Sequence, residues 1–408
     1  MRHQVKGFQF NLRLPLVNKT PLMDLDELLP SSPKLECMHL GLNRAEVRLP
    51  RTAVFTSLKY LTLEFVELAA GSGHLLARLS SSMCCPSLQK LSMMYINFEC
   101  AWTKELVLDA GELLELSMEA VDDMELLELT TPKLLYLKIN ECGDLKSLTV
   151  SAPGLKELTY SPNRGLIHGP LPCVWRLKID LITQKGEDDN DDDDENSSNI
   201  CLLKRCSSSL RCLLVHLYVP WVEERHIDLI KNNIPQLPNV TSLLVSIDVE
   251  CQRHSFGDGV ASLLARFKNL KYLSLKLDDS PYMGFKTDEY DSEDDEAFNF
   301  TCNHSDNWES SNIALANLRE ADFRGMTGTG CELRFLQFVL ASATDLQSVT
   351  VSFNLYFIEE VQDSRMHYFV HTLLGDGTWT ARENEDRDFD KLYKCSKFSK
   401  LYKWTPSP

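Results

Sequence analysis

The sequence predicts an α/β solenoid, in which short parallel strands stack into one sheet and helices or further strands return the chain behind it. Three observations predict it. An apolar triplet recurs along most of the chain, a turn-forming residue stands just before many of the copies, and the distance between copies suits stacked neighbours.

Each copy reads apolar, two variable residues, apolar, one variable residue, apolar. The clearest run is Leu58/Leu61/Leu63, Leu88/Leu91/Met93, Leu113/Leu116/Met118, Leu134/Leu137/Ile139, Leu155/Leu158/Tyr160 and Val174/Leu177/Ile179. It continues as Leu210/Leu213/Val215, Val240/Leu243/Val245, Leu270/Leu273/Leu275, Leu318/Ala321/Phe323 and Leu346/Val349/Val351. Weaker early copies are Val5/Phe8/Phe10 and Leu35/Met38/Leu40. In the closing part of each triplet the side chains alternate, so its two apolar residues face one way and their neighbours the other. A strand this short is not stable alone, and parallel stacking of successive copies buries a continuous ladder of apolar side chains. The expected fold is thus a leucine-rich-repeat solenoid, an irregular curved horseshoe with a parallel concave sheet and mixed helices and short strands on the convex side.

Punctuation separates these triplets from chance in an apolar-rich chain. Proline stands two residues before the first apolar position at Pro33, Pro86, Pro132, Pro153, Pro172 and Pro238, while Asn269, Asn317 and Asp345 stand one residue before it elsewhere. Proline cannot continue a helix or donate to a strand ladder, so it ends one element and launches the next. An ordinary α/β domain with alternating elements would not explain these launch residues.

Spacing predicts the return path. The copies starting at Leu113, Leu134, Leu155 and Val174 lie 21, 21 and 19 residues apart, too close for a comfortable helix between them. Those units carry a second apolar run at Leu106/Val107/Leu108, Leu126/Leu127/Leu129 and Leu145/Leu148/Val150, which reads as strands or tight turns on both sides. Elsewhere the return segments have helical periodicity, at His74–Leu79, Ile227–Ile230, Val260–Phe267 and Leu333–Leu340.

Two spacings are longer, 36 residues from Val174 to Leu210 and 48 from Leu270 to Leu318. Each contains an acidic tract: residues 187–195 carry eight acids in nine positions and residues 288–296 carry seven in nine. Of the net charge of −17, those fifteen acids leave −2 for the rest of the chain. The tracts read as solvated, disordered loops at about 184–200 and 280–312. The first lacks the central Gly of a calcium loop. Ser292, followed by Glu293, Asp294 and Asp295, resembles an acidic-kinase site. The expected organisation is a repeat region over residues 1–315, a terminal repeat or cap over 316–355 and a tail over 356–408.

The nearly neutral body lacks the clustered Lys and Arg that phosphate backbones require, so nucleic acid is not an expected partner. No apolar run reaches a membrane span, and Lys6, Gln9, Asn11 and Arg13 interrupt what would be a signal-peptide core. A cytoplasmic or nuclear location follows as the expectation. There the 13 cysteines are mostly free thiols, and the five N-x-S/T sequons stay unmodified.

The variable strand positions that project from the concave sheet include Tyr60, Lys90, Glu115, Tyr136, Lys138, Glu157, Arg176, Lys178 and Tyr272. Tyrosines and charges on a rigid sheet suit protein recognition, and these nine form the candidate partner-binding surface. In the tail, Lys391, Lys394, Lys397, Lys400 and Lys403 interleave with Tyr393, Phe398, Tyr402 and Trp404. That mixture can stack on single-stranded nucleic acid, but a basic tail folding onto the acidic loops, or a flexible one, is the preferred reading. No metalloprotease, P-loop or nucleophile-elbow motif is present. Cys201, Cys206, Cys212 and His216 cluster without a zinc spacing. No catalytic residue, metal or cofactor is expected.

The segment Asn317–Gly325, followed by Glu332–Leu340 and Ala343–Val351, resembles the FBD region that ends plant F-box/leucine-rich-repeat proteins: a strand, a Gly-containing turn, an amphipathic helix and a final strand. Launch phrases such as Thr131-Pro132-Lys133-Leu134 and Ala152-Pro153-Gly154-Leu155 are similar to that family as well, and the resemblance spans roughly residues 5–355. It implies the substrate-recognition part of a ubiquitin-ligase receptor. In that family an F-box docks on a Skp adaptor, but here the first triplet starts at Val5, so adaptor docking is not supported by this chain. The alternative is a stand-alone repeat scaffold or inhibitor with no link to ubiquitination. An uncovered first rung at Val5, Phe8 and Phe10 would be an apolar edge prone to self-association.

Overall fold

The second and third residues of the apolar triplets fall on strands in the computed structural model, aligned copy against copy. It describes residues 6–11, 22–24, 34–48, 54–68, 73–98, 104–161, 165–186, 196–220, 226–231, 233–249, 256–277, 308, 313–326, 328–353, 363–374, 377–384 and 399–407. The chain divides into two units, one of Met1–Ile179 with Ser197–Ser209, the other of Asp180–Asn196 with Leu210–Pro408.

The first unit opens with β1 (Gly7–Asn11), β2 (Leu22–Asp24), β3 (Cys37–Arg48), β4 (Tyr60–Leu68), α1 (Gly73–Leu79) and β5 (Lys90–Asn97). From there strands alternate between two sheets: β6 (Glu105–Asp109), β7 (Glu115–Asp122), β8 (Leu126–Thr130), β9 (Tyr136–Asn140), β10 (Ser147–Ser151), β11 (Glu157–Ser161) and β12 (Leu166–His168). β13 (Arg176–Ile182) gives the unit its residues up to Ile179, and α2 (Ser197–Cys206) belongs to it as well.

The larger sheet runs β1-β3-β4-β5-β7-β9-β11-β13, with parallel pairing throughout. Its register puts triplet on triplet: Leu61 on Leu91 on Leu116 on Leu137 on Leu158 on Leu177, and Leu63 on Met93 on Met118 on Ile139 on Tyr160 on Ile179. All of these are buried. The Tyr160 hydroxyl, carried inside by its apolar ring, donates to the Gly165 carbonyl at 2.6 Å.

The launch prolines Pro86, Pro132, Pro153 and Pro238 occupy the second position of tight turns, where their fixed φ suits the chain reversal. Leu134 N–H donates to the Thr131 carbonyl across Pro132 at 3.0 Å, Leu155 to Ala152 across Pro153 at 3.1 Å, and Leu88 to Cys85 across Pro86 at 3.1 Å. Where Asn precedes the triplet, its side chain ties one turn to the one before it. Asn269 Nδ2 donates to the Pro238 carbonyl at 2.8 Å, and Asn317 Nδ2 to that of Lys268 at 3.3 Å.

Of the two forms that the short spacing allows, strands or tight turns, the closely spaced copies are backed by strands. β6, β8, β10 and β12 form a second parallel sheet that buries Leu106, Leu108, Leu127, Leu129, Leu148, Val150 and Ile167. α1 packs at its β6 edge and α2 at its β12 edge.

The second unit contains β14 (Gln184–Gly186), β15 (Cys212–Val219), β16 (His226–Asp228), β17 (Ser242–Val249), α3 (Phe256–Leu264), β18 (Tyr272–Leu277) and β19 (Glu320–Met326). It continues with α4 (Gly330–Ala341), β20 (Ser348–Phe353), α5 (Asp363–Leu373), β21 (Thr378–Asn384) and β22 (Ser399–Thr405). β15-β17-β18-β19-β20 pair in parallel, again triplet on triplet, and β22 and β21 close that edge antiparallel. The molecule is therefore mixed α/β and dominated by parallel sheet.

Residues 320–353 form the expected strand, Gly turn, helix and strand. Gly325 has φ 72°, and a Cβ there would press on the Leu277 carbonyl oxygen, so only glycine fits. Thr329 and Glu332 form a reciprocal capping box at the start of α4, and Glu332 is fully buried.

Four expectations are corrected. Ile227–Ile230 is not helical: β16 pairs antiparallel with β14, and the Asp228 carboxylate then accepts from Ile230 N at 2.8 Å and Lys231 N at 2.9 Å, turning the chain. The loop expected over 184–200 holds β14 at one end and the start of α2 at the other. Buried Asn196 pairs with both backbone groups of Ile182, at 2.9 and 2.7 Å. In the loop expected over 280–312, Trp308 is buried, with ring centroids 5.5 Å from Phe335 and 5.1 Å from Phe338. The supposed tail contains α5, β21 and β22, with Tyr402 and Trp404 buried. β22 turns Tyr402 and Trp404 to its buried face, so those two rings are not free to stack on bases. Both acidic tracts, Ser292 and Val5, as well as Lys391, Tyr393, Lys394, Lys397 and Phe398, lie outside the described residues.

Candidate recognition surface

Because one face of the first unit's large sheet carries the triplets, the intervening residues all project from the other. The register assembles them into rows. One row runs Tyr60–Lys90–Glu115–Tyr136–Glu157–Arg176 across six adjacent strands. The next holds His39, Thr62, Ser92, Ser117, Lys138, Thr159 and Lys178. Eight of the nine candidate residues thus share one face. Tyr60 and Tyr136 remain 44% and 43% exposed, enough for each ring to serve as an anchor.

The charges on this face are matched to one another. Lys90 Nζ lies 2.7 Å from Glu115, Arg176 lies 3.7 Å from Glu157, and Lys138 pairs with Glu119. At the sheet's entry edge Lys59, 3.3 Å from Glu36, lowers that carboxyl's pKa, with Lys6 adding to the effect. Each pair is half-exposed, so its net stabilisation is small. What the pairs supply is a fixed, pre-paired frame around the tyrosines.

Tyr272 belongs to the second unit, in the row Cys212–Ser242–Tyr272–Glu320–Ser348. Beside this row, buried Asp322 accepts from Arg324 Nε at 2.7 Å and from Ser274 Oγ at 3.5 Å. Partial burial, then the Asp322 charge, pushes the Tyr272 hydroxyl pKa up.

Sequence reasoning missed a further row on the first unit's face. Phe65, Tyr95 and Ala120 occupy equivalent positions on β4, β5 and β7, with left-handed φ of 53°, 55° and 49°. Glu141 follows β9 with φ 53°. Left-handed backbone is unusual for any side-chain-bearing residue and an outlier for a bulky one. The register skips these residues, matching Glu64 with Met94 and then Val66 with Ile96. This phase shift keeps Val66, Leu68, Ile96, Phe98 and Val121 buried while leaving Phe65 and Tyr95 outside at 39% and 45% exposure. The two rings stack, 4.6 Å between centroids and 2° from parallel. The signal was present in the sequence. In Leu63-x-x-Val66-x-Leu68 and Met93-x-x-Ile96-x-Phe98 the alternation slips by one residue.

Among the described residues, no three or more His, Cys, Asp or Glu are placed to hold a metal ion, and no helix is long and apolar enough to cross a membrane. Buried Cys142 and Cys206 have thiol pKa values raised to about 11 by burial, which keeps them protonated and unreactive at neutral pH. No family model matches the chain, and no curated protein matches it in sequence.

Proposed function

We propose that this chain is a leucine-rich-repeat solenoid that recognises a protein partner on the outward face of its triplet sheet, in the manner of the substrate-binding part of an F-box-type ubiquitin-ligase receptor. One observation carries the reading. Parallel sheets are ordinarily covered on both faces, yet here one face of a parallel sheet stays half-exposed across successive strands, from Tyr60 to Arg176. Repeat architectures leave that face open for binding. Tyr60 and Tyr136, three strands apart in one row, stand roughly 14 Å from each other at the usual strand spacing, a separation that one partner segment can bridge. The FBD-like strand–turn–helix–strand at residues 320–353 supports the family reading.

The test compares partners recovered by quantitative co-precipitation with the wild-type chain and with the Tyr60→Ala/Tyr136→Ala double variant. A third sample, Val107→Ser on the second sheet, serves as control. Partners should be lost from the double variant, about tenfold or more for two anchor residues, and kept by the control. An unchanged partner set in the double variant, with unaltered melting, would refute the proposal.

A further inference from the structure

The left-handed row on the first unit's outward face has a vacant position beside an aromatic ring. Phe65 and Tyr95 stack at 4.6 Å with rings 2° from parallel, close to the spacing of adjacent strands. The stack therefore advances strand by strand. Phe65 covers one face of Tyr95, and the other face is turned toward β7. There the equivalent residue is Ala120, which offers only a methyl group. One strand further, Glu141 has the same left-handed backbone and is exposed. Two strand spacings, roughly 9–10 Å of backbone separation, thus lie between an aromatic face and a carboxylate, over a floor of small size.

Carboxylates outnumber cations around it. The register places Glu64, Met94 and Glu119 on one side of this row, and Glu67, Asn97 and Asp122 on the other. Glu119 is paired with Lys138, and Glu64 lies 3.5 Å from His39. Among the described residues no Lys or Arg pairs with Glu67 or Asp122.

We propose that this position is an arginine slot: the guanidinium of a basic partner segment lies on the free face of Tyr95, above Ala120, within reach of Asp122, Glu119 and Glu141. This rests on the protein-recognition reading and supplies the chemistry of the partner. A guanidinium is planar, stacks on an aromatic face and pairs with carboxylates through several donors, whereas an ammonium only matches the charge. Nucleic acid and acidic peptides are excluded from the slot by like-charge repulsion from its carboxylates.

A random dodecapeptide display library selected on the immobilised full chain tests it, with selected peptides measured on four further variants. These are Tyr95→Ala, Tyr95→Phe, Asp122→Asn and the Tyr60→Ala/Tyr136→Ala double variant. Selected peptides should be enriched in arginine and bind Tyr95→Phe as they bind wild type. They should weaken about 3- to 30-fold on Tyr95→Ala. Citrulline, planar but uncharged, in place of the arginine should weaken them similarly, and Asp122→Asn should weaken them less. Peptides that depend on Tyr60 and Tyr136 but show no arginine enrichment, or ignore Tyr95→Ala, would overturn the slot and leave the recognition reading standing. A selection yielding no peptide sensitive to any of these variants would overturn both.

Discussion

The two sheets of the first unit make the same use of their buried faces and opposite use of their exposed ones. Both are parallel, and both send alternate apolar residues inward, Leu137 and Ile139 on β9, Leu148 and Val150 on β10. Outward, the second sheet shows aliphatic and small polar residues with no Phe, Tyr or Trp among them: Val107 on β6, Leu126, Glu128 and Thr130 on β8, Ser147, Thr149 and Ser151 on β10, and Leu166 on β12. The triplet sheet instead shows tyrosines framed by ion pairs and, within β4, β5 and β7, left-handed residues at the phase shift. Glycine would make that shift at less cost, because it lacks the Cβ that crowds the following carbonyl. Phe65 and Tyr95 occupy it instead. Strain held where a side chain is displayed, and not where the core requires it, points to the displayed side chain as the reason.

The largest expected effect tests whether the comparison starts from equal footing. Leu137→Ala and Leu148→Ala each empty a fully enclosed site, and each should cost about 2–5 kcal/mol in denaturant unfolding. The two should fall in one cooperative transition. A near-neutral Leu148→Ala would mean that the second sheet is an appendage of the first, and the contrast between their exposed faces would then carry little about function.

Much of this was legible before any coordinates. The triplets gave strand register to the residue, because a period of two leaves only one way to bury both apolar positions. Short spacing ruled out a helix on the return path, since 21 residues cannot hold a strand, a helix and two turns comfortably, and left strands or tight turns. Eight candidate surface residues fell on one face for the same reason. Other features were less visible. The Thr329–Glu332 capping box was readable but lay inside a segment read only for its helix. Trp308 was lost within an acidic stretch, where local composition outweighed one large apolar side chain. β22 was hidden by its lysines, although Lys403 standing between Tyr402 and Trp404 has the alternation of a strand. The left-handed row depended on noticing a slip in alternation, which apolar counting ignores. α2 gave little warning, following directly on eight acids in nine positions.

Two substitutions of opposite sense sharpen the contrast at a smaller scale. Gly169, at the end of β12, has φ 100°, and a Cβ there would overlap the Val150 carbonyl oxygen. Gly169→Ala should destabilise by about 2 kcal/mol or more, because strain and collision add. Ala120→Gly should do the reverse, raising stability by about 0.5–1 kcal/mol after the entropy of a more flexible unfolded chain is counted. Thermal unfolding of both variants measures the pair. If Ala120→Gly is destabilising, the left-handed row is not strained, and display no longer accounts for the residues it holds.

The smallest effect concerns acid, and here the two sheets should agree. Glu36, at the entry to the triplet sheet, has its pKa lowered by a hydrogen bond and the charge of Lys59. Glu125, at the entry to the second sheet, has its pKa lowered in the same way by Lys146, 2.7 Å away. A carboxyl whose folded pKa lies below its unfolded value stabilises the fold fully above the unfolded value, about 4.3 for Glu. That contribution is lost as pH falls through the folded value. Both groups are half-exposed, so solvent and salt screen the pairs. Melting temperatures of Glu36→Gln and Glu125→Gln should therefore sit slightly below wild type at pH 7, converge with it as pH falls below 4, and show no difference in 1 M NaCl. A Glu36→Gln deficit that persists in 1 M salt would show that Glu36 holds the sheet by packing and not by charge, and the equivalence of the two entry edges would not stand.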